Sequence, residues 1–102
     1  MITAEISVVP IGTHSTSVSK FIAEAEKILK NFPDVKNKLT AMGTELECKD
    51  TNELFEVLKE MHLAPFNMEA QRVYTVIKID DRHDKEASME EKIESVLQKV
   101  WI

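Results

Sequence analysis

Ile2-Thr3-Ala4-Glu5-Ile6-Ser7-Val8-Val9 alternates from its first residue. Ile2, Ala4, Ile6 and Val8 point one way and Thr3, Glu5, Ser7 and Val9 the other, the period-two pattern of a strand with one core face. Pro10 ends the ladder because it lacks an amide donor, and Gly12 relaxes the backbone in Pro10-Ile11-Gly12-Thr13. Ser15, Thr16 and Ser17 then offer hydroxyls to the free amides of a helix start. Beyond them Val18, Phe21, Ile22, Ala25, Ile28, Leu29 and Phe32 recur at three- and four-residue spacing, an amphipathic helix that Pro33 ends.

Two short runs follow, Lys38-Leu39-Thr40-Ala41-Met42 and Thr44-Glu45-Leu46-Glu47-Cys48, and Gly43 between them marks a hairpin or bulged turn. Asp50 and Glu53 form a capping box before Leu54, Phe55, Val57, Leu58 and Met61, the stripe of a second helix closed by Pro65. Gln71-Arg72-Val73-Tyr74-Thr75-Val76-Ile77-Lys78-Ile79 is rich in β-branched residues, with Val73, Thr75, Ile77 and Ile79 on one side. After the charged loop Asp80–Asp84, Ser88 and Glu91 cap a third helix striped by Met89, Ile93, Val96, Leu97 and Val100, with Trp101 near its end.

Right-handed crossovers through the first two helices interleave the strands in the order 4-1-3-2. The expected fold is α+β, a ferredoxin-like sandwich of βαββαβ order with an extra C-terminal helix, an antiparallel sheet and one domain over residues 1–102. Helices cover one sheet face. The other begins bare, with Thr3, Glu5, Ser7 and Val9 beside Arg72, Tyr74, Val76 and Lys78. That mixture of apolar and charged side chains reads as an interface or a ligand floor.

Thirteen Lys and Arg lie scattered among 18 Asp and Glu, for a net charge of −5 and no block of like charge. Nucleic-acid binding needs a clustered basic face, so no nucleic-acid partner is expected. No apolar run reaches membrane-spanning length, so no membrane partner is expected, and Met1-Ile2-Thr3-Ala4-Glu5 lacks the apolar core of a signal peptide. The one cysteine, Cys48, has no internal disulfide partner, which suits a reducing compartment; a cytoplasmic location is expected. A chain this short buries only part of its surface. With a half-covered sheet and a long edge strand, it is expected to form a homo-oligomer, a tetramer built from dimers.

Catalytic constellations are weak. His14, His62 and His83 lack ligand-type spacing, so neither a metal nor a cofactor is expected. Glu45, Glu47 and Asp50 surround Cys48 and would raise its pKa, the wrong direction for a nucleophile. Asp80/Asp81 and Glu90/Glu91 read as a solvated loop and a helix's first turn. Ile11-Gly12-Thr13-His14-Ser15-Thr16-Ser17 is more informative, since its hydroxyls precede a helix N-terminus and can cap it or hold a polar ligand edge. It lacks the second Gly and the Lys of a phosphate-binding loop.

Val9-Pro10-Ile11-Gly12-Thr13, then Ser17-Val18-Ser19, then Met42-Gly43-Thr44 with Glu47, then Arg72 to Asp80 with Arg82 and Asp84, occur in that order. This pattern resembles the thiamine-binding-protein family over essentially the whole chain. The resemblance implies a ferredoxin-like fold, dimers or tetramers, binding of thiamine or its hydroxymethylpyrimidine half by some members, and no known enzymatic role. Many members carry Gly after the glutamate of the hairpin, where this chain has Cys48; a Cβ there would change the strand's bend and the pocket's width.

An aminopyrimidine needs a carboxylate or carbonyl acceptor and a hydroxyl or amide donor. Glu47 or Glu5 would supply the first, Thr13, Thr44, Ser7 or backbone amides the second, and Tyr74 a stacking face. The ligand is expected on the bare face or at its mouth, between subunits, near Gly12, Thr13, Thr44 and Glu47. Two other readings stay open: a structural or regulatory module whose bare face docks on protein, and a hydrolase or isomerase working through the loop carboxylates.

Overall fold

In the computed structural model, which describes residues 1–101, β1 (Ile2–Pro10) occupies the middle of a four-stranded sheet. Its neighbours are β3 (Thr44–Cys48) and β4 (Val73–Asp81), both antiparallel to it. β2 (Lys36–Leu39) forms the other edge, giving the order β2-β3-β1-β4. This is 4-1-3-2 read from the opposite edge, so the ferredoxin-like arrangement holds. Ile2, Ala4, Ile6 and Val8 are all buried. Pro10 is itself the last residue of the strand, facing Val73 where a missing donor does no harm.

α1 (Ser19–Lys27) and α2 (Thr51–Leu63) pack on the face that carries these residues, and Leu46, Leu54, Val57, Leu58 and Met61 complete the core. The alternation of β4 is as expected: Thr75, Ile77 and Ile79 stand opposite Val8, Ile6 and Ala4. Ile77 and Ile79 are nonetheless 42% exposed, because the two helices do not reach across the edge strand.

β2 ends at Leu39 and starts two residues before the expected run Lys38–Met42, whose later residues form the turn to β3, and four further details depart from the sequence reading. The cap of α1 is Val18, with no side-chain bond. The hydroxyls ahead of it are spent inside the loop, where Ser15 Oγ accepts from the Ser17 amide at 3.1 Å and Thr13 donates to the Ser15 carbonyl. Phe55 faces solvent, since one residue past Leu54 is a 100° turn away from the stripe. The capping box of α2 is half made: Asp50 accepts from the Asn52 amide, while the Glu53 carboxylate lies 3.7 Å from Cys48 Sγ. Gly12 has the left-handed φ of +80° expected of a turn glycine, but Gly43 does not. A Cβ on Gly43 would sit 2.9 Å from the Ile6 carbonyl oxygen, so this glycine is required for close approach.

α3 (Met89–Val100) starts on the open face. Lys36, Glu47, Thr3 and Asp80 form one row straight across the sheet, and each holds the helix's first turn. Glu90 pairs with Lys36 at 2.7 Å, Lys92 reaches Thr3 Oγ1 and Asp80, and the Met89 amide donates to Glu47. Beyond that turn α3 leaves the body, and every residue from Ile93 to Trp101 is exposed. The projecting arm accounts for a longest dimension of 48 Å and a radius of gyration of 15.1 Å, above the roughly 13 Å of a compact chain of this length.

Candidate functional site

β1 runs four residues past its last pairing with β3, Ile6 opposite Thr44. A notch opens there, bounded by the end of β1, the helix α1 and the turn Thr40-Ala41-Met42-Gly43 that joins β2 to β3. It is a cleft of about 300 Å³. Ile6, Val8, Val18, Ile22, Ala25, Leu39 and Met42 give it apolar walls, and Thr40 and Thr44 add hydroxyls; Ser7 also borders it, with its side chain on the open sheet face.

The cleft has one charged lining residue, Glu26. Thr44, 4% exposed, donates its hydroxyl to Glu26 Oε2 at 2.9 Å. Among the described residues Glu26 makes no ion pair, and a half-buried carboxylate is costly unless something donates to it; the threonine meets only part of that need. The sequence signal for Glu26 was present but faint. It falls four residues after Ile22 and three before Leu29, inside the apolar stripe of α1, where an acid is out of place.

The main chain contributes a second polar edge. The Ile11 amide donates to the Arg72 carbonyl at 2.8 Å. Hydrogen-bonding direction alternates along an antiparallel strand, so this bond aims the odd-numbered residues of β1 at β4 and the even-numbered ones at β3. Val8 is even, and β3 has already ended. Its amide and carbonyl therefore point into the notch. The turn that closes the cleft is itself tied: the Thr40 amide and hydroxyl both donate to the Gly43 carbonyl, at 2.8 and 2.9 Å.

The structure separates the residues grouped by sequence. Thr44 and Glu47 are three apart in one strand, so they lie on opposite faces of the sheet. Thr44 lines the cleft and Ser7 borders it, whereas Glu47 is occupied by the Met89 amide at 2.6 Å. Glu5 sits on the open face, 3.8 Å from Lys78, and Tyr74 is 62% exposed on that face. Gly12 and Thr13 line another depression with Lys20, Phe21 and Arg72. Cys48 is buried on the helix side, away from the cleft lining, and burial pushes its thiol pKa up. His62 Nδ1 lies 2.6 Å from Thr75 Oγ1 and edge-on to Phe66.

Residues 4–97 match the family model described as thiamine-binding protein. The chain is 45% identical to a UPF0045 protein of Methanothermobacter thermautotrophicus, over 98% of this chain and 100% of that one. It is 42% identical to the UPF0045 protein YqgV of Bacillus subtilis, over 94% of each. Among solved structures, a hypothetical protein of Methanocaldococcus jannaschii superposes with a TM-score of 0.84 at 37% identity, covering 95% of this chain and 96% of that one. A Thermotoga maritima protein assigned provisionally to thiamine biosynthesis or salvage shares the fold, with a TM-score of 0.75 at 21% identity over 93% and 97% of the two chains. Among the described residues no helix is long and apolar enough to cross a membrane. With a family model covering nearly all of its length and a relative at 45% identity end to end, the chain belongs to the thiamine-binding protein family.

Proposed function

We propose that this protein is a non-enzymatic carrier or sensor that binds a small heteroaromatic molecule of the thiamine type, thiamine or its hydroxymethylpyrimidine half, in the cleft between α1 and the β2–β3 turn. The observation that carries this reading is a single carboxylate, Glu26, in a cleft of about 300 Å³ whose walls are mostly apolar. That volume is at the small end for ligand sites and suits one ring with short substituents. The apolar walls supply the burial, while Glu26, Thr44 and the Val8 main chain supply orientation. Membership of a family named for binding adds to it. Glu5 and Tyr74 are assigned in this reading to a subunit interface, and Glu47 to holding α3.

The working form is a homo-oligomer. A twelve-residue helix standing off the body is marginal alone in water, and Ile93, Val96, Leu97 and Val100 form an uncovered stripe along it. The same stripe favours a second reading, a regulatory interaction module in which α3 docks on a different protein.

Thermal unfolding with thiamine, its phosphates and hydroxymethylpyrimidine separates the two readings. A ligand bound only by the native state raises the melting temperature. The shift is expected in the parent protein and absent in Ile22→Trp, which fills the cleft. No shift with any of these compounds would overturn the ligand reading.

A further inference from the structure

We infer that Glu26 makes the cleft selective for rings bearing an exocyclic amino group, so that the corresponding oxo ring is rejected. The inference rests on the cleft being the ligand site, and it follows from the direction of one hydrogen bond. Thr44 spends its only hydroxyl proton on Glu26 Oε2. What this end of the cleft then offers a ligand is Glu26 Oε1 and the lone pairs of Thr44 Oγ1, which are acceptors. Glu26 is the one charged residue of the lining, so the lining itself supplies no cation to reverse that polarity.

An acceptor-only end wants donors. An amino group brings two N–H bonds to adjacent acceptors, and each bond to a carboxylate is stronger than one between neutral groups. An oxo group in the same place would turn lone pairs toward lone pairs and leave Glu26 Oε1 without a donor, with only Oε2 served by Thr44. Sites built around such a polar match reject the mismatched analogue far more sharply than apolar walls reject a size change. The carboxylate is also well held. It sits on a helix packed against the sheet, and the threonine that orients it is buried opposite Ile6. The Val8 amide, at the open edge of β1, faces the cleft as a donor for a ring nitrogen, its carbonyl can accept from the hydroxymethyl group, and the amino group is left to Glu26.

Calorimetric titration of 4-amino-5-hydroxymethyl-2-methylpyrimidine and its 4-oxo counterpart tests this. The parent protein is expected to bind the amino ring at least roughly tenfold more tightly. Glu26→Gln, which places an N–H donor where only acceptors stood, is expected to lose roughly tenfold for the amino ring and to narrow or reverse the preference. Thr44→Val keeps the strand and the shape but releases the carboxylate, and is expected to weaken amino-ring binding severalfold; it serves also where Glu26→Gln melts early. Equal affinity of the parent for both rings would overturn the inference while leaving the cleft a ligand site. A Glu26→Gln protein that keeps the parent's preference would overturn it as well. Failure of both rings to bind the parent would overturn the inference, and the ligand reading too if thiamine and its phosphates also leave the melting temperature unchanged.

Discussion

Glu47 accepts a hydrogen bond from the Met89 amide at 2.6 Å, so a carboxylate on the open face of β3 caps a helix that begins 42 residues later in the chain. Ser88 caps the same turn locally by accepting from the Glu91 amide at 3.1 Å. The two acceptors divide the free amides of α3 between them, and the negative charge of Glu47 meets the positive end of the helix dipole.

Glu47→Ala is therefore expected to cost about 1–2 kcal/mol, the size of a lost N-cap. Amides of α3 should exchange faster with solvent, and the melting temperature should fall. Affinity at the cleft, on the other side of the sheet, should change by less than about twofold. Hydrogen exchange and calorimetry on the same variant check both statements.

Acid should loosen α3 before it unfolds the body. Lys92, hydrogen-bonded to Asp80, holds that carboxyl below its ordinary pKa, and Lys36 does the same to Glu90. A carboxylate with a depressed folded-state pKa stabilises the fold above its unfolded pKa and loses that contribution as pH falls through the folded value. The anchoring should accordingly be complete near neutrality and fade below about pH 4. Both pairs are solvated, so the effect should be small and weaken further with salt. Amide chemical shifts of residues 89–92, followed from neutral to acid pH, would show it.

The two glycines should respond differently. Gly43→Ala puts a Cβ 2.9 Å from the Ile6 carbonyl oxygen, which belongs to a core strand and cannot yield. A loss of about 1–3 kcal/mol is expected. Gly12→Ala meets no atom within 4 Å but must hold φ at +80°, for about 1 kcal/mol. Gly12→Asn should recover part of that, because asparagine tolerates left-handed backbone, whereas Gly43→Asn should recover nothing. Denaturant unfolding of the four variants decides the matter.

Cys48 should be inert in the native protein. It is buried, and burial is the main cause of its raised pKa, with the Glu53 charge adding to it. A raised folded-state pKa means stability that is present below the unfolded thiol pKa and lost as pH rises through the folded one. At pH 8 the thiol should react with a disulfide reagent only as fast as the protein opens, and at the ordinary rate in denaturant. Equal rates would mean that β3 is not packed as described.

Leu97→Asp places a charge in the middle of the exposed stripe of α3. If that stripe joins copies of the chain, light scattering at micromolar concentration should show a smaller particle than the parent, with the body still folded. An unchanged mass would move the contact elsewhere.

Ile2, Ala4, Ile6 and Val8 were legible as a core face from alternation alone, because a strand's side chains have no choice but to alternate. The stripes of Val57, Leu58 and Met61 and of Ile93, Val96 and Leu97 were legible for the same local reason, and with right-handed crossovers they implied the order of the sheet. Local pattern does not say what stands opposite what. Thr44 and Glu47 looked like one site because they are close in sequence, and the alternation that revealed the strand also sends them to opposite faces. Glu26 gains its meaning only from Thr44, 18 residues away, reached through a crossover and a hairpin. Gly43 looked like a turn glycine and proved to be a packing glycine, because the Ile6 carbonyl it touches arrives from another strand. Backbone periodicity is set by bonds between neighbours and can be read along the chain. A binding site is set by side chains that neighbouring bonds do not connect, and only the folded arrangement of β1, α1 and the β2–β3 turn brings them together.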